Sequence, residues 1–463
     1  MRRALQAHQK ALDVTGHNIA NSTTPGYVRQ EAMFEVTPPY TPPGVVRLVR
    51  PGQIGTGVDV VRVRRIFDGF IEARIRAANS GLGKWEEQKS ALERIESAFN
   101  DPGDIGFGDA LSRFWNAWQE LSKRPESDAA RAVLLEEAGG FCAILNRTAR
   151  QLETTHEELE AAYRAKVEEV NSLADQVAEL NAEIAKIKVT GNEPNDLMDK
   201  RDAAIRRLSE LMDILVYQDR EGALNIQVGN EFLVKRDETH KLGLKTIEAV
   251  ADGLPGLGKS IAVWTHNNQE VPITGGEIAG VREARDTLLP KYYGRLDQIA
   301  NTIISKVNAQ HWDGYGIDGS TDVYFFTGAR ARDIAVNADL VAYPRRIAAA
   351  ATPDAPGDGS NAAKIAALKD ELLISGLTID GFYSETIVLL GNDGNSADRM
   401  AEIEKLTVEQ NTNRKESFSG VSTDEELAKV MRYQHGYNAC ARMVSVIDEM
   451  LDVLINRTGV TGL

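Results

Sequence analysis

The stretch Gly253-Leu254-Pro255-Gly256-Leu257-Gly258-Lys259-Ser260 satisfies the spacing of a phosphate-binding loop. Such a loop works by aiming successive backbone N–H groups and the N-terminus of a following helix at phosphate, with the Lys on the outer oxygens and the Ser on magnesium. The chemistry therefore needs a strand before the loop and a helix after it. Ile261-Ala262-Val263-Trp264-Thr265 reads instead as a strand, and Asn267-Asn268 as a turn. No helix stands behind Ser260, and the βαβ alternation around it is missing. The spacing predicts a hairpin loop that meets the pattern by chance. A nucleotide hydrolase built on Lys259 and Ser260 is the reading it competes with.

Other reactive side chains are scattered. His156-Glu157 has no second His four residues after the first, so it is not the zinc-protease motif; His156 reads as a polar residue on a helical seam. His8 and His17 fall on the first helix as surface or interface groups. Asp313, Asp318 and Asp322 lie in a glycine-rich loop whose spacing misses the calcium helix-loop-helix pattern, and a solvated turn is the plainer reading. Cys142 and Cys440 are the only 2 cysteines. They make neither a disulfide framework nor a zinc site, though a single pairing stays open. No catalytic residue, cofactor site or metal site is predicted.

Composition narrows the class further. The chain has 463 residues, 42% of them hydrophobic, 6% aromatic, and a net charge of −15. That length allows two or three domains with real cores. The acidity argues against nucleic acid as the main partner, since phosphate binding needs clustered Lys and Arg, and Arg62, Arg64 and Arg65 are too few to reverse it. No window is apolar enough to span a bilayer, and the first residues do not read as a secretory signal.

The elements that would position these side chains are mostly long helices. Residues 3–21 carry Leu5, Leu12 and Ile19 every seven residues, with His8 and Thr15 at the intervening seam positions, so the apolar stripe is half built. Ala7, Ala11 and Gly16 leave room for a partner helix. Thr24-Pro25-Gly26-Tyr27 fits a type II turn. Residues 28–66 read as extended and turn-rich, with Pro38, Pro39, Pro42, Pro43 and Pro51. Helices follow from Asp68 and over Asp109–Ser122. The longest runs over Asp128–Val189 with a break at Gly139-Gly140. Its seam is Leu152, Leu159, Leu173, Leu180 and Ile187, with His156, Tyr163, Val170, Val177 and Ile184 four residues on and Lys166 the one exception.

After Gly191–Pro194, residues 197–215 turn helical again and predict an antiparallel hairpin. Strands fill 223–234 and 241–275, and a helix spans 277–311. Residues 312–360 read as loop-rich, and further helices as 361–373, 380–392 and 396–416. The last helix, Thr423 to Asn456, starts at Ser422 or Thr423 with Asp424, Glu425 and Glu426 against its dipole. Val430, Tyr437, Val444 and Leu451 form one heptad position, and Tyr433, Cys440, Ile447 and Leu454 the other. The fold class expected is mainly α with an inserted β-rich domain, elongated and multidomain, with long helices and a coiled-coil hairpin built from both chain ends.

The run Ala11–Asn21 through Thr24-Pro25-Gly26-Tyr27, with Asn18 and Asn21 inside it, resembles the N-terminal signature of flagellar rod, hook and hook-associated axial proteins. Ser419–Glu426 is similar to the other end of the same family, while Val28-Arg29-Gln30, Gly57-Val58-Asp59-Val60 with Arg65 and Asp68, Gly276-Glu277-Ile278-Ala279-Gly280 and above all Asn195-Asp196-Leu197-Met198-Asp199-Lys200-Arg201-Asp202 narrow the likeness to the hook-associated branch of the first type, which joins hook to filament. Members usually carry about ten more residues before the equivalent of Ala4, a lead-in that extends the terminal coil, so the resemblance implies a shorter terminal helix or an internal start.

The resemblance implies a non-enzymatic structural subunit, located outside the cell on the flagellum and exported through the flagellar type III apparatus without a cleaved signal. It implies no cofactor, a ring of copies, and contacts to the hook protein and the next hook-associated protein. It also implies a cytoplasmic chaperone on the C-terminal helix, and no nucleic acid or membrane partner. Alternatives are a hook or distal rod protein and a secreted coiled-coil adhesin.

The expected division is 1–45 as an axial segment pairing with 423–463, 46–217 as the first half of a helical core, and 218–275 as a β-rich outer domain. A helix at 276–311 returns to the core, 312–360 is a second outer part, and 361–422 is the second half of the core. Leu5, Leu12, Ile19 and the two heptad rows of the last helix are the expected assembly interface, and Asn18, Asn21, Pro25, Gly26 and Tyr27 the signature turn.

Overall fold

The computed structural model describes residues 1–38, 55–99, 106–220, 222–247 and 257–457. Gly253–Gly256 of the phosphate-loop pattern, and Pro39, Pro42, Pro43 and Pro51, lie outside the described residues.

The chain opens with α1 (Arg2–Ala20), then the antiparallel ribbon of β1 (Gln30–Val36) and β2 (Val58–Arg65). Next come α2 (Gly69–Phe99), α3 (Phe107–Lys123), α4 (Asp128–Val189) and α5 (Asn195–Leu211). Strands β3 (Leu215–Gln218), β4 (Leu224–Val228), β5 (Glu231–Lys235) and β6 (Glu238–Thr239) form an antiparallel meander. A separate hairpin pairs β7 (Leu242–Ile247) with β8 (Lys259–Trp264). Then follow α6 (Gly276–Glu283), a π-helical turn at Ala284–Leu288 and α7 (Leu289–Trp312). A small ladder of β9 (Phe326–Thr327) and β10 (Ala335–Val336) precedes α8 (Ala338–Ala342) and α9 (Ser360–Ala367). The chain closes on α10 (Ile379–Ser419) and α11 (Thr423–Asp452).

Two compact units result. The first takes Met1–Asn79, Val170–Lys241 and Glu404–Leu463, and the second Ser80–Glu169 and Leu242–Ile403. The strand-rich stretch 218–275 is thereby divided, with β3–β6 in the first unit and β7–β8 in the second.

The expected break at Gly139-Gly140 is absent: α4 runs unbroken for 62 residues. A glycine costs a helix about 1 kcal/mol, and the flanking Leu134, Ala138, Phe141 and Leu145 are fully buried, which offsets it. The helices read at 380–392 and 396–416 are one, α10 running for 41 residues through Gly391 and Gly394. Ser422 is the N-cap of α11, its side chain accepting from the Glu425 N–H.

In the second unit the sparse aromatics are concentrated. Phe107, Phe114, Trp118 and Phe141 of α3 and α4 pack with Phe325 and Phe326 around His311. Arg131, fully buried, ties the α3–α4 connection to the segment before α9 by donating to the carbonyls of Pro125, Pro344 and Ile347. Lys166, the exception in the α4 heptads, lies between Glu87 of α2, at 2.9 Å, and Glu277 of α6. Gly280 is needed beside it, because a Cβ there would stand 2.4 Å from the Lys84 carbonyl oxygen.

In the first unit, Val170, Val177 and Ile184 of α4 are buried, as are Ile205 and Leu208 of α5 and Ile226, Leu233 and Val234 of the meander. Asn181 ties helix to sheet by donating to the carbonyls of Leu224 and Arg236 and accepting from the Leu224 N–H.

Candidate functional site: the terminal helix pair and its polar clamp

Helices α1 and α11 pack antiparallel in the first unit: Asn18 meets Glu426, while His8 lies against Tyr433 and Gly436. The buried face of α1 is Ala7, Ala11, Thr15 and Asn18. Small side chains let two helix backbones approach closely, and Thr15 returns its hydroxyl to the Ala11 carbonyl. Leu5, Leu12 and Ile19 are only half-buried within the chain.

The signature turn is closed by Tyr27 N–H donating to Thr24 O at 3.2 Å, with Gly26 at φ +82°. Asn21 donates to the His17 carbonyl, and Pro25 is exposed. Asn18, 1% exposed, is saturated. Its Nδ2 donates to Gln30 O and Glu426 Oε2, both at 2.9 Å, and its Oδ1 accepts from the Gln30 N–H and the Tyr27 hydroxyl. Since Tyr27 spends its only proton there, the bond from His17 Nδ1 to the Tyr27 oxygen at 3.0 Å requires the proton on Nδ1. Burial, then Asp196, Asp199 and Glu426, push the Tyr27 phenol well above its ordinary value.

The clamp extends on both sides of Asn18. Arg29 donates through Nε to Glu426 Oε1 at 2.8 Å and through Nη2 to Glu425 Oε2 at 2.7 Å. Glu426 is fully buried. Burial alone would raise its pKa, but hydrogen bonds from Asn18, Lys429 and Arg29 hold it below the usual range.

On the other side stands the first part of α5, where Asn195 donates to Gln30 Oε1 and Val63 O, and Asp196 accepts from Gln30 Nε2. Asp199 accepts from the Val28 N–H and faces Arg65 at 2.8 Å; Arg65 also pairs with Asp202. Burial, only partly opposed by Arg65, raises the Asp199 carboxyl to about 6. The polar residues of 195–202 thus lock the N-terminal signature and the ribbon to the helical hairpin of α4 and α5. Asp196, Asp199 and Asp202 are marked in the sequence by the resemblance and Glu426 by its place in the first turn of the last helix, but their joining with Arg29, Gln30 and Arg65 into one clamp is not, although the carboxylates spaced 196, 199 and 202 share one helix face.

Along α11, Val430, Tyr433, Tyr437 and Cys440 are half-buried. Val444 and Ile447 are 41% and 40% exposed, and Leu451 and Leu454 48% and 61%. The structure therefore brings the first half of this heptad row to α1 and leaves the second half open.

In the second unit, Lys259 and Ser260 sit in β8, not at a helix N-terminus. Ser260 is fully buried, its N–H donating to Glu160 Oε2, and Lys259 lies 3.3 Å from Asp286 Oδ2. Arg285, held by the π-helical turn, bonds Glu160 and stacks on Tyr163, so these charges pin the β7–β8 hairpin to α4. The motif requires a helix N-terminus at Ser260, and a strand stands there instead. Asp318 accepts from the N–H and hydroxyl of Ser320 and faces Arg346. Among the described residues no group of three or more His, Cys, Asp or Glu converges, and no helix is long and apolar enough to cross a membrane.

Comparison with known proteins reads the two ends and the middle separately. Residues 2–27, which hold α1 and the signature turn, match the family described as flagella basal body rod protein. Residues 416–457, which hold α11, match the flagellar basal body rod FlgEFG protein C-terminal family. Paired helical ends of this kind define an axial protein of the bacterial flagellum.

Residues 92–326 match the flagellar hook-associated protein FlgK helical domain. The chain is 30% identical over 499 residues to flagellar hook-associated protein 1 of Bacillus subtilis, covering 100% of this chain and 98% of that one. It is 24% identical to the protein of the same name in Escherichia coli, with 98% of each covered. The chain belongs to the FlgK family of flagellar hook-associated proteins and is a structural subunit of the bacterial flagellum. Its fold is that of the flagellar hook junction protein FlgK from Burkholderia pseudomallei, with a TM-score of 0.64 at 15% identity, covering 75% of this chain and 100% of that one.

Proposed function

We propose that the chain forms the junction between hook and filament, polymerising as a ring through α1 and α11, and that its role is structural and not catalytic. What supports this most is the exposed second half of the α11 stripe: Val444, Ile447 and Leu451 stand open on a helix whose first half is already fastened to α1. An apolar stripe at heptad spacing is what a neighbouring helix covers in a coiled array.

In this reading residues 1–45 and 423–463 make the inner layer, 46–217, 276–311 and 361–422 the helical core, and 218–275 and 312–360 the outer parts. One axial face meets the hook protein and the other the next hook-associated protein. Before export through the type III apparatus without a cleaved signal, a cytoplasmic chaperone covers the stripe of α11. The terminal helices order fully on assembly, because α1 buries mainly small side chains and gains little area to offset its ordering entropy.

A strain lacking the gene tests the assignment: filaments should be shed or fail to attach to hooks, and attached filaments in its absence would sink it. Hydrogen exchange on the purified monomer tests the coupling, since strong protection over residues 5–20 would count against ordering on assembly.

A further inference from the structure

A cleft of about 340 Å³ opens in the first unit beside β2, the start of α2, α5 and β3. Its charged lining is Arg62, Arg64, Arg65, Arg76 and Arg201 against three carboxylates, Glu72, Glu193 and Asp202. Most of the possible compensation is already committed. Asp202 pairs with Arg65, Glu72 pairs with Lys415 and Arg206, and Arg64 has Glu31 at 3.1 Å. Among the described residues, Arg62, Arg76 and Arg201 have no carboxylate within ion-pair distance.

Arg201 is the most telling of them. It is 2% exposed; its Nη1 donates to Asn181 at 2.9 Å, while its Nε meets no acceptor. Burial lowers the proton affinity of both Arg76 and Arg201, and the nearby carboxylates, Asp202 for both and Glu72 for Arg76, offset it only in part. The remaining wall is largely apolar, with Phe67, Ile205, Val216 and Tyr217, of which Phe67 and Tyr217 are exposed.

We propose that this cleft is the docking site for a carboxylate-bearing segment of a second copy of the chain, an acidic side chain beside an apolar one. The inference rests on the self-association proposed above and adds the site of a contact to it. Copies that each carry a net charge of −15 repel when packed side by side. An uncompensated arginine cleft facing acidic surface turns that repulsion into a local attraction and fixes register. The volume lies at the small end of the roughly 300–1,000 Å³ span of ligand clefts, enough for one or two side chains and too little for a folded element.

The test places the photoreactive residue p-benzoylphenylalanine at position 217 in cells building flagella, followed by irradiation of the purified flagella and mass spectrometry. The expected product joins two copies of the chain, with Asp or Glu within a few residues of the attachment point. Adding Arg62→Glu, a substitution at an exposed side chain, should reduce that product several-fold while the protein is still incorporated. A product joining a different protein, no product from incorporated chain, or a yield unchanged by Arg62→Glu would each overturn the cleft. Absence of the chain from purified flagella would instead overturn the junction reading itself, and the cleft with it.

Discussion

The imidazole of His8 lies directly over the backbone of Gly436: a Cβ built on that glycine would stand 2.7 Å from His8 Cε1 and 2.8 Å from Nε2. The ring is held there by Phe34 and Tyr433, at centroid distances of 5.8 and 6.3 Å. His8 is thus a packing residue of the α1–α11 pair, and Gly436 is glycine because the imidazole occupies the space a side chain would need. Gly436→Ala should push the helices apart locally, at about 1–3 kcal/mol for overpacking. The double variant with His8→Ala should recover most of the loss, because the added methyl then has room. Hydrogen exchange over α1 in purified flagella, where the helix pair is ordered, checks both; an incorporated Gly436→Ala protein as well protected there as the parent would contradict the contact.

Asn18 should be the most sensitive side chain of the signature. Asn18→Ala strips partners from a fully buried carboxylate, Glu426, and from the Gln30 N–H. An orphaned buried polar group costs about 1–3 kcal/mol. Asn18→Asp should be at least as damaging, since it places a second carboxylate against Glu426, whereas Asn18→Asp with Glu426→Gln restores one negative charge and one amide. Recovery by the double change, measured as filament retention in cells and as unfolding midpoint in solution, distinguishes the clamp from a general need for asparagine.

Lys166 tests how charge is handled on the α4 seam. Lys166→Leu would complete the heptad row, yet it removes the ammonium that stands between Glu87 and Glu277. Removing one member of a largely buried ion cluster is strongly destabilising because the survivors stay charged. The expected loss is about 2–4 kcal/mol on that principle, lessened here by the partial exposure of Glu87. Adding Glu87→Gln and Glu277→Gln should return most of it. A single variant as stable as the parent in urea unfolding would show that the cluster contributes nothing.

The long helices were legible because large apolar residues repeat every seven positions, and the seam Leu152, Leu159, Tyr163, Val170 and Val177 is buried accordingly. The same rule directs attention on α1 to Leu5, Leu12 and Ile19, whereas the chain buries Ala7, Ala11, Thr15 and Asn18. Hydrophobic periodicity detects size, and a closely packed helix pair selects for smallness. The clamp was hidden for a second reason. Asn18 and Glu426 are 408 residues apart, and no spacing rule pairs side chains at that distance. The resemblance marked residues 195–202 as distinctive without saying why; their reason is the contact of Asn195, Asp196, Asp199 and Asp202 with the ribbon, which needs coordinates. Gly139-Gly140 misled because local propensity was outweighed by the burial of their neighbours.

His311 and Asp199 give the two units opposite responses to acid. Neutral His311 donates from Nδ1 to the Val323 carbonyl at 2.7 Å and accepts at Nε2 from the Ala348 N–H at 2.9 Å, so the folded site has no place for a second ring proton. Burial, with Arg131 nearby, lowers its pKa to about 4 from 6.5. Between those values the unfolded chain binds the extra proton and the folded one does not, so stability of the second unit falls as pH drops from 6.5 to 4.

Asp199 has the reverse sign: its folded pKa of about 6 lies above the ordinary 3.8. The folded state therefore holds the proton more tightly, and its contribution to the first unit falls as pH rises from 4 to 6. Other carboxylates titrate in the same window, so each slope is read as a difference from a variant. His311→Gln should flatten the acid loss of the second unit, and Asp199→Asn should remove a decline in the first, both followed by hydrogen exchange across pH 4 to 7. Parallel pH profiles for parent and variant in either case would contradict the assigned titration.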